Sequence, residues 1–224
     1  MDWPALWVSL RLAALTSLLL IPLGLWLGRA LALARFRARP LCEALVALPL
    51  VMPPTVLGFY LMQSFGQQAP FGAVWASLTG TTLNFTFSGI LLASLVANLP
   101  FAVQPIQRAF EAIPANLREA AWCCGLSPWQ TLWRIELPLV WPGLVSALAL
   151  TFAHTLGEFG VILMVGGAID GETRTLAIAI YDRVQAFDEQ GAALMSAMLL
   201  LVSFMTIGVV YGLSGRSRRR RHGH

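Results

Sequence analysis

The sequence predicts an all-α membrane protein with five transmembrane helices, the N-terminus outside the cell membrane and the C-terminus in the cytoplasm. The 224 residues are 57% hydrophobic and only 12% charged, whereas soluble domains carry about 25% charged residues. Five apolar stretches approach the ~20 residues that a helix needs to cross a bilayer. The arginines concentrate in alternate connections, which is typical of cytoplasmic loops. The predicted spans lie at about 6–30, 44–65, 88–107, 139–164 and 191–213.

The first span contains two widely spaced arginines, Arg11 and Arg29. They are 18 residues apart, about 27 Å along a helix, so their long side chains can reach opposite membrane surfaces. A cleaved signal peptide is the alternative, because the stretch 30–32 resembles a cleavage site. No basic segment precedes the apolar stretch, however, and the positive residues follow it, so we expect the segment to be retained.

Prolines interrupt the second span. Pro49, Pro53 and Pro54 lie within six residues, and each proline removes a helix hydrogen bond and bends the segment. One proline alone would serve packing as easily as function, but the cluster favours a distortion that shapes a pathway or a gate. Three amides on the third span could line a polar path or join helices by hydrogen bonds: Asn98, Gln104 and Gln107.

The fourth span contains two ionisable residues. His154 and Glu158 are four residues apart and therefore share one face of a helix. Ionisable groups inside a membrane usually have a function. We interpret Glu158 as a structural group near the outer end, paired with His154, Arg11 or Arg183, and a direct place on a polar path is the alternative.

Positive residues set the orientation of the chain. Three arginines follow the first span at 35–39, three follow the third span at 108–134, and five lie in the tail, 216–224. These segments are therefore placed in the cytoplasm. Residues 1–215 then form one membrane domain, and the basic tail could contact anionic lipid. The stretch 175–187 is too short and too charged to span and is predicted to be an interfacial or re-entrant helix.

A polar, amphipathic segment, 119–138, separates the third and fourth spans. We predict two short helices here, the first ending just before Gly125, which suits the left-handed conformation past a helix end. Ser127 and Gln130 form the pattern of a capping box at the start of the second helix, which should end before Pro138. An amphipathic helix on the cytoplasmic face seeks a lipid surface or a groove in a partner protein.

The same segment resembles the EAA loop, EAA-x3-G-x9-I-x-LP, of the permeases of ABC importers. The matching residues are Glu119, Ala120, Ala121, Gly125, Ile135, Leu137 and Pro138. The resemblance implies that they dock into a cytoplasmic ATPase and receive its movement. It also implies a homodimer of this chain, two ATPase subunits beneath it and a periplasmic binding protein above it, in the bacterial inner membrane.

Two longer stretches resemble the molybdate branch of this family. They are LPLVMPPTVLGFYLM in the second span and HTLGEFGVILMVGGAIDGETRTLAIAIYD from the fourth span onward. The resemblance implies import of molybdate and also of tungstate, with sulfate or thiosulfate as the alternative. A carboxylate on the path would repel such anions, which favours the structural interpretation of Glu158.

The chain is expected to hold no cofactor, no metal and no catalytic site. It has no lysine, which excludes the phosphate-binding loop that needs one, so ATP and Mg²⁺ are expected on the partner ATPase. An integral-membrane enzyme would need a cluster of catalytic groups, and an electrochemically driven carrier would need coupling-ion sites in the membrane. The sequence offers neither pattern, and its arginines lie at span ends, which argues against nucleic acid as a partner.

Overall fold

The structure is a computed structural model that describes residues 2–34 and 37–219. Arg35 and residues 220–224 of the predicted basic tail lie outside the described residues, as do the side chains at 213–219. The regular secondary structure of the described residues is helical, without β-strands. The helices are α1 (Trp3–Leu33), α2 (Arg39–Val51), α3 (Pro54–Phe65), α4 (Pro70–Thr79), α5 (Phe87–Glu111), α6 (Ala115–Cys123), α7 (Pro128–Thr131), α8 (Leu137–Gly157), α9 (Gly160–Gly166), α10 (Leu176–Gln185) and α11 (Glu189–Arg219).

Four helical stretches of the described chain are long and apolar enough to cross a membrane, and a bent pair of helices makes a fifth if it counts as one span. The four are Trp3–Leu33, Phe87–Glu111, Pro128–Gly157 and Glu189–Gly208, and the bent pair is Arg39–Val51 with Pro54–Phe65. The expected all-helical membrane architecture is therefore confirmed. The short helix expected within 175–187 is α10, whose ten residues are too few to span.

The second predicted span, 44–65, is distorted at its prolines as the sequence predicts, and it is broken into α2 and α3 at an angle of 107°. Met52 and Pro53 both have extended backbone, with ψ of 138° and 133°. A residue that precedes proline is pushed out of the helical region, and two successive prolines apply this restriction twice. Pro49, in contrast, lies within α2. The clustered prolines therefore produce a sharp corner.

The predicted limits of the fourth span, 139–164, also need correction. The helix does not start after Pro138: α7 continues through a π-helical turn, Leu132–Glu136, into α8. In this wider turn the N–H of Leu137 donates to the carbonyl of Leu132. Single π turns of this kind occur inside α-helices without ending them. The helix therefore continues through Pro138 instead of ending before it. At the other end the helix stops at Gly157, and α9 follows as a separate short helix.

The connector 66–87, between the second and third predicted spans, contains a helix of its own. Helix α4 covers ten of its residues and ends at Gly80, whose φ of 71° is left-handed. Asn84, further along the connector, donates to the carbonyl of Met62 at 3.0 Å. The connector is thereby tied to the end of α3.

Helix α5 forms the centre of the fold and packs against α1, α2, α8 and α9. Its contact with α1 is close because two glycines face it. A Cβ placed on Gly24 would lie 3.2 Å from Ala102, and one on Gly28 would lie 3.0 Å from the backbone nitrogen of Gln107. Small residues that let helix backbones approach are typical of membrane helix interfaces.

An ion-pair cluster fixes the segment after α5 to the end of α1. Glu136 is almost fully buried, and its two carboxylate oxygens accept from Nε of Arg29 at 2.7 Å and from Nε of Arg118 at 2.6 Å. Arg118 also donates to the carbonyl of Phe110 at 3.1 Å. One carboxylate thus joins α1, α6 and the π turn.

We expect Glu136→Gln to destabilise the protein by about 3 kcal/mol, the lower end of the cost of removing one partner of a buried pair, because Arg29 keeps partial contact with solvent. The measurement is the thermal unfolding midpoint of the detergent-solubilised protein. Glu172→Gln, at an exposed glutamate, is the matched control. Equal midpoints for the two variants would contradict a structural role of the cluster.

Candidate functional site

Three polar residues that the sequence singled out inside the membrane meet in the structure. His154 Nδ1 lies 3.0 Å from Oδ1 of Asn98 and 3.4 Å from Oε2 of Glu158. The ring of Phe101 stacks on the histidine at 4.1 Å between centroids. The three residues therefore form one cluster between α5 and the end of α8.

The two arginines considered as partners of Glu158 are engaged elsewhere. The guanidinium of Arg11 lies 4.2 Å above the ring of Phe87, and Arg183 pairs with Asp188 at 2.5 Å. The structure thus places His154, of the three candidates, beside Glu158. Glu158 is 7% exposed and follows the last residue of α8 with extended backbone, so its backbone marks the break before α9.

The cluster continues through two hydroxyl residues that sequence reasoning missed. The amide nitrogen of Asn98 donates to the carbonyl of Ser94 at 2.9 Å and lies 3.2 Å from its hydroxyl. The hydroxyl of Thr16 on α1 donates to the same Ser94 hydroxyl at 3.1 Å. The spacing of Ser94 and Asn98, four apart on one helix face, was the available signal. A polar line, buried except at His154, therefore runs from α1 through α5 to Glu158.

A cavity of about 120 Å³ lies beside this line, between the corner of span two and the break after α8. It can hold several water molecules, since one water needs roughly 10–15 Å³. Pro54 lines it, whereas Pro53 does not. The lining residues are Pro49, Leu50, Met52, Pro54, Leu57, Ala97, Phe101, His154, Glu158 and Val161. The two irregular backbone segments of the transmembrane region therefore meet at one cavity, and its lining contains no arginine.

Gln107, by contrast, does not belong to the polar line. Its amide nitrogen donates to Glu43 at 2.7 Å and to Glu111 at 3.0 Å. Arg39 pairs with both of these carboxylates. Gln107 therefore joins α2 to α5, the alternative role that the sequence left open.

The segment 119–138 has the local structure that the sequence predicts at its first turn. Helix α6 ends at Cys123, and Gly125 follows with a φ of 79°. The hydroxyl of Ser127 accepts from the backbone N–H of Gln130 at 3.3 Å, and the Gln130 side chain accepts from the backbone N–H of Ser127 at 2.9 Å. The left-handed glycine and the capping box are confirmed. They fix the turn between α6 and α7.

The residues of the predicted ATPase dock divide into an exposed and a buried set. Glu119 and Ala120 are exposed, whereas Ala121 is buried. Near the second end of the segment, Leu137 packs on the core formed with Ile106, Phe110 and Val140. Ile135 is half-buried and Pro138 is exposed. The segment therefore presents one edge outward and is anchored by the other.

Near the start of α1, Arg174 forms ion pairs with three carboxylates. It pairs with Asp2 at 3.0 Å, Asp170 at 2.8 Å and Asp182 at 3.0 Å. Burial alone would lower the pKa of Arg174, but these three partners outweigh it and raise the pKa. The connection between α9 and α10 is thereby joined to the start of α1.

Comparison with known proteins gives a consistent result. The family model described as binding-protein-dependent transport system inner membrane component matches residues 20–220. The molybdenum transport system permease protein of Azotobacter vinelandii is 43% identical over 222 residues, which cover 99% of this chain and 96% of that protein.

A sulfate permease and a solved transporter also match. The probable sulfate transport system permease protein of Zygnema circumcarinatum is 32% identical over 203 residues, covering 91% of this chain and 70% of that protein. A chain of the bacterial alginate ABC transporter, solved in complex with an alginate-bound periplasmic protein, superimposes with a TM-score of 0.76 at 18% identity. This alignment covers 95% of our chain and 78% of the alginate transporter chain. At 18% identity the match supports a shared fold.

We expect Glu158→Gln to lower the detergent unfolding midpoint, with a loss of about 1 kcal/mol for the weakened contact to His154. Glu189→Gln, at an exposed position, is the control. The preference between molybdate and sulfate in uptake assays should stay unchanged. A changed preference would instead place Glu158 on the transport path.

Proposed function

The chain belongs to the family of binding-protein-dependent transport system inner membrane components, and from this premise we propose that it is the transmembrane subunit of an ATP-driven importer of molybdate. The observation that carries the proposal is the 43% identity to the Azotobacter molybdenum permease over nearly the full length of both chains. Tungstate, an oxyanion of the same charge and shape, is the second substrate. The chain is a multi-pass protein of the bacterial inner membrane.

Molybdate is favoured over sulfate by two features of these matches. The identity to the molybdenum permease is 43%, against 32% for the sulfate permease. The aligned part also covers 96% of the molybdenum permease but only 70% of the sulfate permease, which is longer. A sulfate or thiosulfate permease is therefore the less supported alternative.

The exposed edge of the segment 119–138 is the surface that we assign to the ATPase. Glu119, Ala120 and the turn at Gly125 lie outward, while Glu136 holds the same segment to α1. A push on this edge would therefore move α1 and the segment together. ATP and Mg²⁺ would bind to the partner ATPase, and this chain contributes no catalytic group.

The helical stretch Pro128–Gly157 offers a direct mechanical link from this edge to the membrane cavity. Its 30 residues correspond to about 45 Å, and it ends next to Glu158 at the break that lines the cavity. Movement of its first turn would be transmitted along one helix to the polar cluster. We assign to this cavity a part in switching between outward- and inward-facing states.

The complete importer would contain two copies of this chain and two ATPase subunits. The N-terminus would lie outside, so that the connectors 66–87 and 166–190 face the periplasmic binding protein. The ion pairs of Arg174 support this role because they hold the second connector in a defined shape. Selection of the anion would occur in the binding protein.

Uptake of radiolabelled molybdate tests this function. A bacterial strain that lacks its own molybdate permease should regain uptake when it expresses this chain with its ATPase and binding protein. Excess sulfate should compete weakly and excess tungstate strongly. An ATPase variant without hydrolysis is the control and should abolish uptake. Uptake that survives this control but collapses with an ionophore would identify an electrochemically driven carrier instead.

Replacement of Gly125 by valine tests the ATPase dock. A β-branched residue is strained at a φ of 79°, although the space around this glycine is open. We expect Gly125→Val to insert into the membrane but to retain several-fold less ATPase in a pull-down.

Gly171→Val is the matched control, because Gly171 has a φ of 74° and equally open surroundings in the opposite connector. It should retain the ATPase fully. Equal retention by both variants would argue against the dock.

A further inference from the structure

Two concave surfaces meet at the end of α1 that lies beside the segment 119–138. The first, the arginine cavity, has a volume of about 510 Å³, and its charged lining residues are Arg29, Arg39, Arg118, Glu119 and Glu136. The second, the tryptophan groove, has a volume of about 500 Å³ and includes Leu25, Trp26, Trp129, Leu132, Trp133 and Leu137. Arg29 and Pro128 line both surfaces. A charged and an apolar concavity are therefore adjacent at Arg29.

The tryptophan groove exposes large aromatic rings. Trp26 is 68% exposed, Trp129 66% and Trp133 56%. Trp129 and Trp133 contact each other edge to face, with 5.5 Å between their centroids, which fixes one wall of the groove. Tryptophan is enriched at the level of lipid headgroups, where its ring is amphipathic. The groove is therefore suited to an occupant that is partly apolar and partly polar.

The arginine cavity offers one cation for an anion at its junction with the groove. Its lining has three arginines and two glutamates, but Arg39 is held by Glu43 and Glu111 and Arg118 by Glu136 and the carbonyl of Phe110. Nε of Arg29 donates a hydrogen bond to Glu136. Among the described residues, this is the hydrogen bond that the Arg29 guanidinium makes. The two terminal amino groups of Arg29 are then available at the junction of the two surfaces. Arginine binds phosphate oxygens with such paired amino groups.

We propose that the arginine cavity and the tryptophan groove together bind one anionic phospholipid of the inner leaflet. Its phosphate would lie at Arg29 and an acyl chain would lie along the groove. The cytoplasmic placement of this end of α1 rests on the proposed function, but the lipid site itself is additional to it.

The order of groups along the helices matches the order within a phospholipid. Trp26 and Arg29 are three residues apart, about 4.5 Å along α1, with the apolar ring nearer the membrane centre and the cation nearer the cytoplasm. Leu25 of α1 and Leu137 of α8 line the groove at the ends of helices that cross the membrane.

Native mass spectrometry of the purified permease–ATPase complex tests the site. The complex is equilibrated with phosphatidylglycerol and phosphatidylethanolamine in equal amounts, and the lipids that remain bound are counted. We expect one phosphatidylglycerol per permease copy in the unmodified protein and a several-fold loss in Trp26→Ala. Trp7→Ala is the matched control, because Trp7 lies on the same helix with the same 68% exposure but near its other end. It should retain the lipid.

A second variant examines the headgroup. Arg29→Gln removes the cation while Glu136 keeps its pair with Arg118, and this variant should retain both lipids equally. Equal retention of the two lipids by the unmodified complex, or equal losses in Trp7→Ala and Trp26→Ala, would overturn the proposal.

Two further outcomes would also overturn it, by assigning the groove to a protein. Trp26→Ala could release the ATPase, or the second copy, while phosphatidylglycerol stays bound. A failure of molybdate uptake would bear on the transport proposal and would leave the lipid count unaffected.

Discussion

The buried carboxylate of Glu136 is the interaction on which the arrangement of α6, the π turn and the end of α1 depends. It is 1% exposed and is shared by Arg29 and Arg118, so three separate parts of the chain meet at one charge. A buried ion pair adds little net stability over an apolar contact, but removal of one partner is costly. Its effect is therefore on geometry: α6 and the π turn cannot leave the end of α1 unless a charge is left unpaired.

This constraint explains how a polar segment can be both exposed and rigid. Its outer edge, with Glu119 and the turn at Gly125, has few contacts, but its inner edge is held by Glu136 and by the packing of Leu137. The continuous helix from Pro128 to Gly157 then extends this rigid unit into the membrane. The breaks, at Met52–Pro53 and after Gly157, lie at the far end of that unit around one cavity. The rigid helix therefore lies between the exposed edge and the backbone breaks, so a movement of the edge would be transmitted along it to the breaks.

Local signals in the sequence predicted local structure well. The left-handed Gly125, the capping box of Ser127 and Gln130, and the apolar spans follow from residue type and spacing alone. The failures concern features set by packing between distant segments. The prolines predict a bend in span two but not its angle of 107°, and the corner packs closely on α9, where a Cβ on Gly160 would lie 2.9 Å from Pro54. The π turn that carries the helix past Pro138, and the choice of His154 over two arginines beside Glu158, likewise require the fold.

The membrane cavity is consistent with transport rather than with tight binding. Strong capture of a divalent oxyanion needs several converging cationic or N–H donors, yet the lining of this cavity has one histidine, one carboxylate and otherwise uncharged residues. The carboxylate of Glu158 would repel an anion in this cavity. The same carboxylate contacts His154, so the histidine faces a protein acceptor. A site that an ion must leave quickly has to bind it weakly. Three arginines outside this lining, Arg29, Arg39 and Arg174, hold Glu136, Glu111 and the aspartates around Arg174. The cavity in the membrane region therefore has few groups that could hold an anion tightly. The ion pairs that stiffen the protein lie toward its two surfaces.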